Sequence, residues 1–249
     1  MSERISDEQP KFPGTSSYSS RSKQRAEDVL HLLAGHVDLD GKVVLDLGCG
    51  PNPLLASFPE VCSRLVGLDK ERRYITEVRR SFSTDLVLGD GTDLPFRGES
   101  FSFVLCNDVL EHVRDSKKLM KELSRVLARR GAAYIQCANK YQLIEPHFLL
   151  PFLSWIPRPF ADFYVRMAGR GRNYEGYYPR TRKELLSSAR GYRTLDITYE
   201  RALMMVRTLN IQSKLLLGVV STLRKILSDK IIAAIAQNFS IISIIVFKD

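Results

Sequence analysis

Four runs of this sequence end on residues able to hold a small polar ligand. VVLDLGCGPNP carries Asp46, Gly48, Cys49, Gly50 and Asn52, and SRLVGLDK ends on Asp69 and Lys70. TDLVLGDGT ends on Asp90, Gly91 and Thr92, and FSFVLCND ends on Asn107 and Asp108. Glycines let a backbone approach a ligand closely and turn into a helix, whose first N–H groups lack intrahelical partners. An ionised aspartate is an acceptor only, so Asp69, 19 residues after Gly50, suits a ribose diol that must donate twice. Asp46 stands two residues before the first glycine, and Pro53 occupies the place of the third glycine of a dinucleotide fingerprint. A carboxylate at that turn repels a pyrophosphate and favours a cationic, amino-bearing ligand such as S-adenosylmethionine.

The elements that must carry these residues emerge from hydropathy. The four apolar runs recur at about 20-residue intervals, and AAYIQCAN supplies a fifth. Between them lie stretches of helical period, KERRYITEVRRSF and DSKKLMKELSRVLARRG, the latter with Leu119, Met120, Leu123, Val126 and Leu127 on one face before a stop at Gly131. Val29, Leu30, Leu32, Leu33 and Val37 form an apolar stripe on an earlier helix, from Ser22 to before Asp40. Strands alternating with helices predict right-handed crossovers and an α/β, doubly wound, Rossmann-like fold. Adding the strand YRTLDITYE and the closing run FSIISIIVFKD gives a mostly parallel sheet of seven strands with helices on both faces. In such a sheet the ligand lies beyond the carboxyl ends of the strands, where all four motifs fall.

With these motifs in this order, the chain resembles the class I S-adenosylmethionine-dependent methyltransferases, in particular the type 11 group similar to quinone-biosynthesis methyltransferases. The resemblance covers about residues 25–139. It implies S-adenosylmethionine as cofactor: Asp46, Gly48 and Gly50 shaping the turn around its methionine portion, Asp69 on both ribose hydroxyls, and Asp90 accepting from the adenine amino group. Gly91 and Thr92 would pack beside the adenine, and Asn107 would line the methionine end. Cys49, Lys70 and Asp108 fall within the same motifs. Asn52 stands where the family often has glycine, and asparagine tolerates positive φ better than most residues.

The acceptor side is read from the residues beyond strands four and five. His112, in LEHVRD, is the candidate general base; the alternative is a histidine hydrogen-bonded at a helix start. Transfer from a sulfonium needs in-line positioning and, for a hydroxyl acceptor, loss of a proton. Tyr141, Glu145 and His147, beyond strand five, are candidate substrate groups. Cys49 and Cys106 read as small buried fillers, no metal site is expected, and no C-x-x-C pair occurs.

Length, composition and charge bound the rest. The 249 residues accommodate one domain of ordinary globular composition, 44% apolar and 26% charged. Residues 1–22 read as a flexible arm and 23–249 as one methyltransferase domain, with a cofactor-binding core at 23–139 and substrate-side insertions at 140–180 and 208–237. The net charge is +9 overall, but −2, +2 and +9 over residues 1–40, 41–139 and 140–249. The positive excess therefore lies on the acceptor side. From Arg158 to Arg193, nine basic residues are interleaved with aromatics, which suits an anionic or membrane-borne acceptor and also single-stranded RNA. Leu215, Leu216, Val219, Val220, Leu223, Ile226 and Leu227 share one helix face, read either as a pocket cap or as peripheral membrane contact through 211–228. No signal peptide or spanning segment is evident, and the expectation is a cytoplasmic protein with possible membrane association. The expected activity is methylation, on oxygen first, of a small-molecule or lipid-linked acceptor. The alternatives are an RNA methyltransferase using the basic half, with nucleic acid less favoured because NDVL lacks a base-gripping N/D-P-P-aromatic motif, and a nicotinamide-binding or non-catalytic module.

Overall fold

A computed structural model describes residues 15–51, 60–81, 85–208 and 214–249. Its strands are β1 (Val43–Leu47), β2 (Arg64–Asp69), β3 (Asp85–Leu88), β4 (Phe101–Asn107), β5 (Leu127–Cys137), the short pair β6 (Ile144–Glu145) and β7 (Leu150–Pro151), β8 (Arg193–Asp196) and β9 (Ile242–Phe247). The described helices are α1 (Thr15–Ala34), α2 (Arg72–Ser81), α3 (Ser116–Val126), α4 (Arg158–Met167), α5 (Arg182–Ser188), α6 (Thr198–Thr208), α7 (Lys214–Leu223) and α8 (Asp229–Ala236). Seven strands form one sheet in the order β3-β2-β1-β4-β5-β9-β8. β9 runs antiparallel to both its neighbours, and the pairs from β3 to β5 are parallel. The strand order reverses between β1 and β4, and the crevice of a doubly wound sheet opens at that switch point. All four motifs of the sequence end there or on the next two strands.

Strand side chains alternate between the two faces, as a period of two requires. Leu45, Leu47, Val104, Cys106, Ala133 and Ile135 join the core under α3 and α5. Val44, Phe103, Leu105, Ala132 and Tyr134 join the core under α1 and α2. A third, smaller core holds the insertion after β5, where Leu150 and Leu153 meet Ala161, Val165, Tyr174 and Tyr177.

Several boundaries differ from the sequence reading. α1 begins at Thr15, inside the stretch of residues 1–22 read as an arm; residues 1–14 lie outside the described residues. Serine and tyrosine cost only a few tenths of a kcal/mol in a helix, so a packed anchor at Ala26 and Val29 carries the helix back through them. α3 ends at Val126, not at Gly131, because Leu127 is already extended and pairs with Phe101. The residues 128–131 form a bulge there, with Arg130 at φ 58°. The helical insertion begins at Thr198, not at 208, since the Asp196 carboxylate accepts the Thr198 N–H at 3.0 Å and starts α6. The helical face expected for 215–227 is broken: α7 stops at Leu223, Ile226 and Leu227 lie in a turn, and Ser228 takes the N-cap position of α8. Residues 211–213 of the 211–228 stretch lie outside the described residues.

Candidate active site

At the end of β1 the chain turns through Gly48, at φ 69°, and Gly50, at φ 56°. Only glycine takes these conformations without strain, and a Cβ on Gly48 would run into the Val109 side chain. The Gly48 and Cys49 N–H groups donate to the Leu68 carbonyl at 2.7 and 3.1 Å, tying the turn to β2. Asp69 then holds it from the side: Oδ2 accepts the Gly50 N–H at 2.9 Å and Oδ1 accepts the Glu71 N–H at 2.8 Å. Each oxygen keeps a further lone pair for a ligand hydroxyl.

Asp46 lies beneath this turn and is buried, with Oδ2 lacking a hydrogen-bond partner among the described residues. Burial, and then the nearby Asp69 charge, push its carboxyl up to about 7. A buried, unpartnered carboxylate beside a second one is costly unless a cation meets it. The residues present therefore fit a cationic nucleoside ligand and disfavour a pyrophosphate.

The other predicted cofactor residues are distributed unevenly. Asp90 sits just past β3, its Oδ1 accepting from the Thr92 N–H at 2.7 Å and the Thr92 hydroxyl at 2.8 Å, and the first of these bonds contributes most to its lowered pKa. A Cβ on Gly91 would press on the Leu119 side chain, which would have to shift to admit it. Lys70 is exposed, and its charge contributes to lowering the pKa of both Asp90 and His112. Asn107 turns Nδ2 to Asp108 and leaves a buried Oδ1 without a partner among the described residues. Cys49 is a buried filler with its thiol pKa pushed far up, first by desolvation, and Cys106 is the same. Asn52 lies outside the described residues.

Asp108 is committed to a polar chain that the sequence did not reveal. Its carboxylate takes an ion pair from Arg25 of α1 and a hydrogen bond from Gln136 at 3.0 Å. Gln136 in turn accepts from the buried Tyr134 hydroxyl at 2.8 Å. Asp108 has φ 58°, so the chain leaves β4 through a left-handed residue that this network pins. Nothing in the spacing of Arg25 announced it, because the contact spans 83 residues.

The residues read as facing an acceptor lie on the 3-10 turn Leu110–His112 and the β6–β7 hairpin, next to the segment through Tyr177. Glu111 points inward and accepts the Ala138 N–H at 3.1 Å, with Oε2 unpartnered among the described residues. Desolvation, then the Asp108 charge, push its carboxyl up to about 8. The Tyr178 N–H donates to the Glu111 carbonyl, at 2.5 Å, clamping the turn. The rings of His112 and His147 meet edge to face at 5.2 Å, and Tyr177 lies 4.5 Å from His147. Fully buried Glu145 accepts the Phe148 N–H at 2.6 Å and pairs with His147 Nδ1 at 2.9 Å. That contact fixes the imidazole and leaves Nε2 as its outward nitrogen. Packing about the His112 ring, and then His147, hold its pKa below 6.5. The structure thus joins His112, Glu145 and His147 and adds Tyr177, whose buried hydroxyl also lacks a partner among the described residues. Tyr141 instead packs edge-on against Trp155, on the outer aromatic group.

Residues 45–135 match the model of the methyltransferase domain family. A probable S-adenosylmethionine-dependent methyltransferase of Mycolicibacterium smegmatis is 29% identical over 101 residues, 40% of this chain and 39% of that protein. A ubiquinone biosynthesis O-methyltransferase of Neisseria meningitidis is 25% identical over 149 residues, 54% of this chain and 61% of its own length. The chain thus spans less than two thirds of these curated relatives. An S-adenosylmethionine-dependent methyltransferase structure from Mesorhizobium loti superposes with a TM-score of 0.61 at 14% identity, over 91% of this chain and all of that one. The Haemonchus contortus phosphoethanolamine N-methyltransferase 2 complex with S-adenosylmethionine gives 0.55 at 15% identity, over 89% and 52%. Residues 45–135, with the glycine turn and the paired aspartates, thus carry a methyltransferase domain, and the seven-stranded sheet has the fold of S-adenosylmethionine-dependent methyltransferases.

Proposed function

We propose that this protein transfers the methyl group of S-adenosylmethionine to an oxygen of a small-molecule or lipid-linked acceptor. The observation that carries the reading is the pair of carboxylates at the turn: Asp46, buried with an unpartnered oxygen, and Asp69, held by the Gly50 and Glu71 N–H groups. Asp69 binds the ribose hydroxyls, Asp46 meets the positive charge of the amino-acid end, and Asn107 offers its buried Oδ1 beside them. Asp90, braced by Thr92, accepts from the adenine amino group. The cofactor supplies an electrophilic methyl on a sulfonium, and the chain's own residues supply position and proton removal.

Support for oxygen as the accepting atom comes from the histidine pair. An imidazole held by a buried glutamate is suited to taking a hydroxyl proton, and His147 has that arrangement with Glu145. His112, kept neutral at pH 7 by its lowered pKa, lies against it. Tyr177 packs beside the His147 ring, and the basic residues of 140–249 favour an anionic acceptor. The test is incubation with methyl-labelled S-adenosylmethionine and fractionated cell extract. Label in the organic-soluble fraction is the expected result; label confined to RNA, or none in any fraction, contradicts this reading.

A further inference from the structure

The insertion after β5 is two-faced. Inward, Leu150, Leu153, Ala161 and Val165 form its small core. Outward, Leu149, Phe152, Trp155, Phe160, Phe163 and Met167 are 60%, 49%, 41%, 67%, 58% and 71% exposed. On α4, Phe160, Phe163 and Met167 fall within an arc of roughly 60°, at about 100° per residue, while Ala161 and Val165 occupy the buried side. A helix that hides one apolar stripe and shows another to solvent is unusual for a free surface. Leu149 and Phe152 add to it by holding left-handed backbone, φ 55° and 54°, which turns two large apolar side chains out while Leu150 and Leu153 go in. Trp155 is packed by Tyr141, Phe152 and Phe239, which fixes the indole in place.

Charge indicates what this face meets. Arg166 flanks the apolar arc, and Arg170 and Arg172 come just after it, all exposed. Arg158 turns inward to the Tyr174 and Tyr177 carbonyls, and Asp162 accepts the Tyr174 N–H, so the exposed charges of 166–175 are Arg166, Arg170 and Arg172 against Glu175 alone. Aromatics and methionine with an arginine rim match an interface of acyl chains below and anionic headgroups above. Among the described residues no helix is long and apolar enough to cross a membrane, so the contact is a surface one.

We propose that the β6–β7 hairpin and α4 dock on an anionic lipid bilayer, with Phe160, Phe163 and Met167 in the acyl boundary and Arg166, Arg170 and Arg172 at the headgroups. The same hairpin carries buried Glu145 and half-exposed His147, so docking brings the histidine pair to the membrane surface where a lipid-phase acceptor lies. That purpose rests on the methyl-transfer reading, but the docking does not. The surface differs from 211–228, the stretch that hydropathy alone selected.

Vesicle flotation of the full chain, without cofactor or acceptor, tests it on phosphatidylcholine alone and on phosphatidylcholine mixed with phosphatidylglycerol. Wild type is expected to float with the mixed vesicles and to lose binding as salt rises. Phe160→Ser with Phe163→Ser should lower partition about tenfold or more, with an unchanged melting temperature because both side chains are exposed. Replacing Arg166, Arg170 and Arg172 with Gln should remove the preference for phosphatidylglycerol. Failure of wild type to bind either vesicle, or undiminished partition of the phenylalanine pair, overturns the proposal. So does a wild-type dimer in sedimentation that the phenylalanine substitutions dissociate, in the absence of vesicle binding.

Discussion

Asp46→Asn should make the ligand-free protein more stable at pH 8 while weakening its hold on the cofactor. Asp46 is buried with Oδ2 unpartnered among the described residues, and its carboxyl is pushed from 3.8 up to about 7. At about 1.4 kcal/mol per tenfold in proton affinity, keeping it ionised costs about 4 kcal/mol. Relaxation and water entry reduce such costs, and about 2 kcal/mol is the working figure. Because the folded carboxyl binds its proton more tightly than the unfolded one, stability is fully present below about pH 4 and is lost as pH rises to 7. Asparagine of the same shape never ionises, so the gap between variant and wild type should grow over that window and stay constant above it. For a chain of this size, about 2 kcal/mol corresponds to roughly 4–8 °C in melting temperature at pH 8. Glu111, also pushed up, titrates in both proteins and cancels in the difference. Calorimetry should show S-adenosylmethionine binding about tenfold or more weaker in the variant, since the cation has lost its anion. A variant that melts below wild type at pH 8, a gap equal at pH 5 and pH 8, or undiminished cofactor affinity refutes the reasoning.

Gly48→Ala should destabilise by about 1 kcal/mol for a left-handed alanine plus ~1–3 kcal/mol for the collision with Val109, and adding Val109→Ala should recover the second part only, as read by urea unfolding. His147→Ala should lower kcat by about a hundredfold or more and Glu145→Gln by about tenfold, with cofactor affinity unchanged by calorimetry in both. The acid limb of kcat/KM should fall below pH 6.5, because His112 becomes protonated only there, and its absence in His112→Ala would assign it. Thr181→Ala removes a capping box at α5, and should cost ~1 kcal/mol, about 2–4 °C, without changing cofactor binding.

The glycine turn and the strand-end acids were legible because they are local. Asp46, Gly48 and Gly50 lie within one turn, and Asp69 and Asp90 end neighbouring strands, so hydropathy that finds the strands also aligns the acids. The histidine cluster was legible only as residue types. His112 and His147 are 35 residues apart, and a hairpin with two left-handed residues brings them together, which no propensity scale foresees. Arg25 and Gln136 escaped notice for the same reason, since each reaches Asp108 from a distant element. The apolar face read over 215–227 was drawn too long because helical periodicity ran on through Arg224, where the chain turns.

Thermal unfolding with S-adenosylhomocysteine and with NAD, on wild type and Asp69→Asn, tests the central claim most directly. At a hundred times its dissociation constant, S-adenosylhomocysteine should stabilise wild type by about 2.7 kcal/mol, roughly 5–11 °C, and Asp69→Asn by far less, with no response to NAD in either. Stabilisation by NAD, or none by S-adenosylhomocysteine in the wild type, would contradict it.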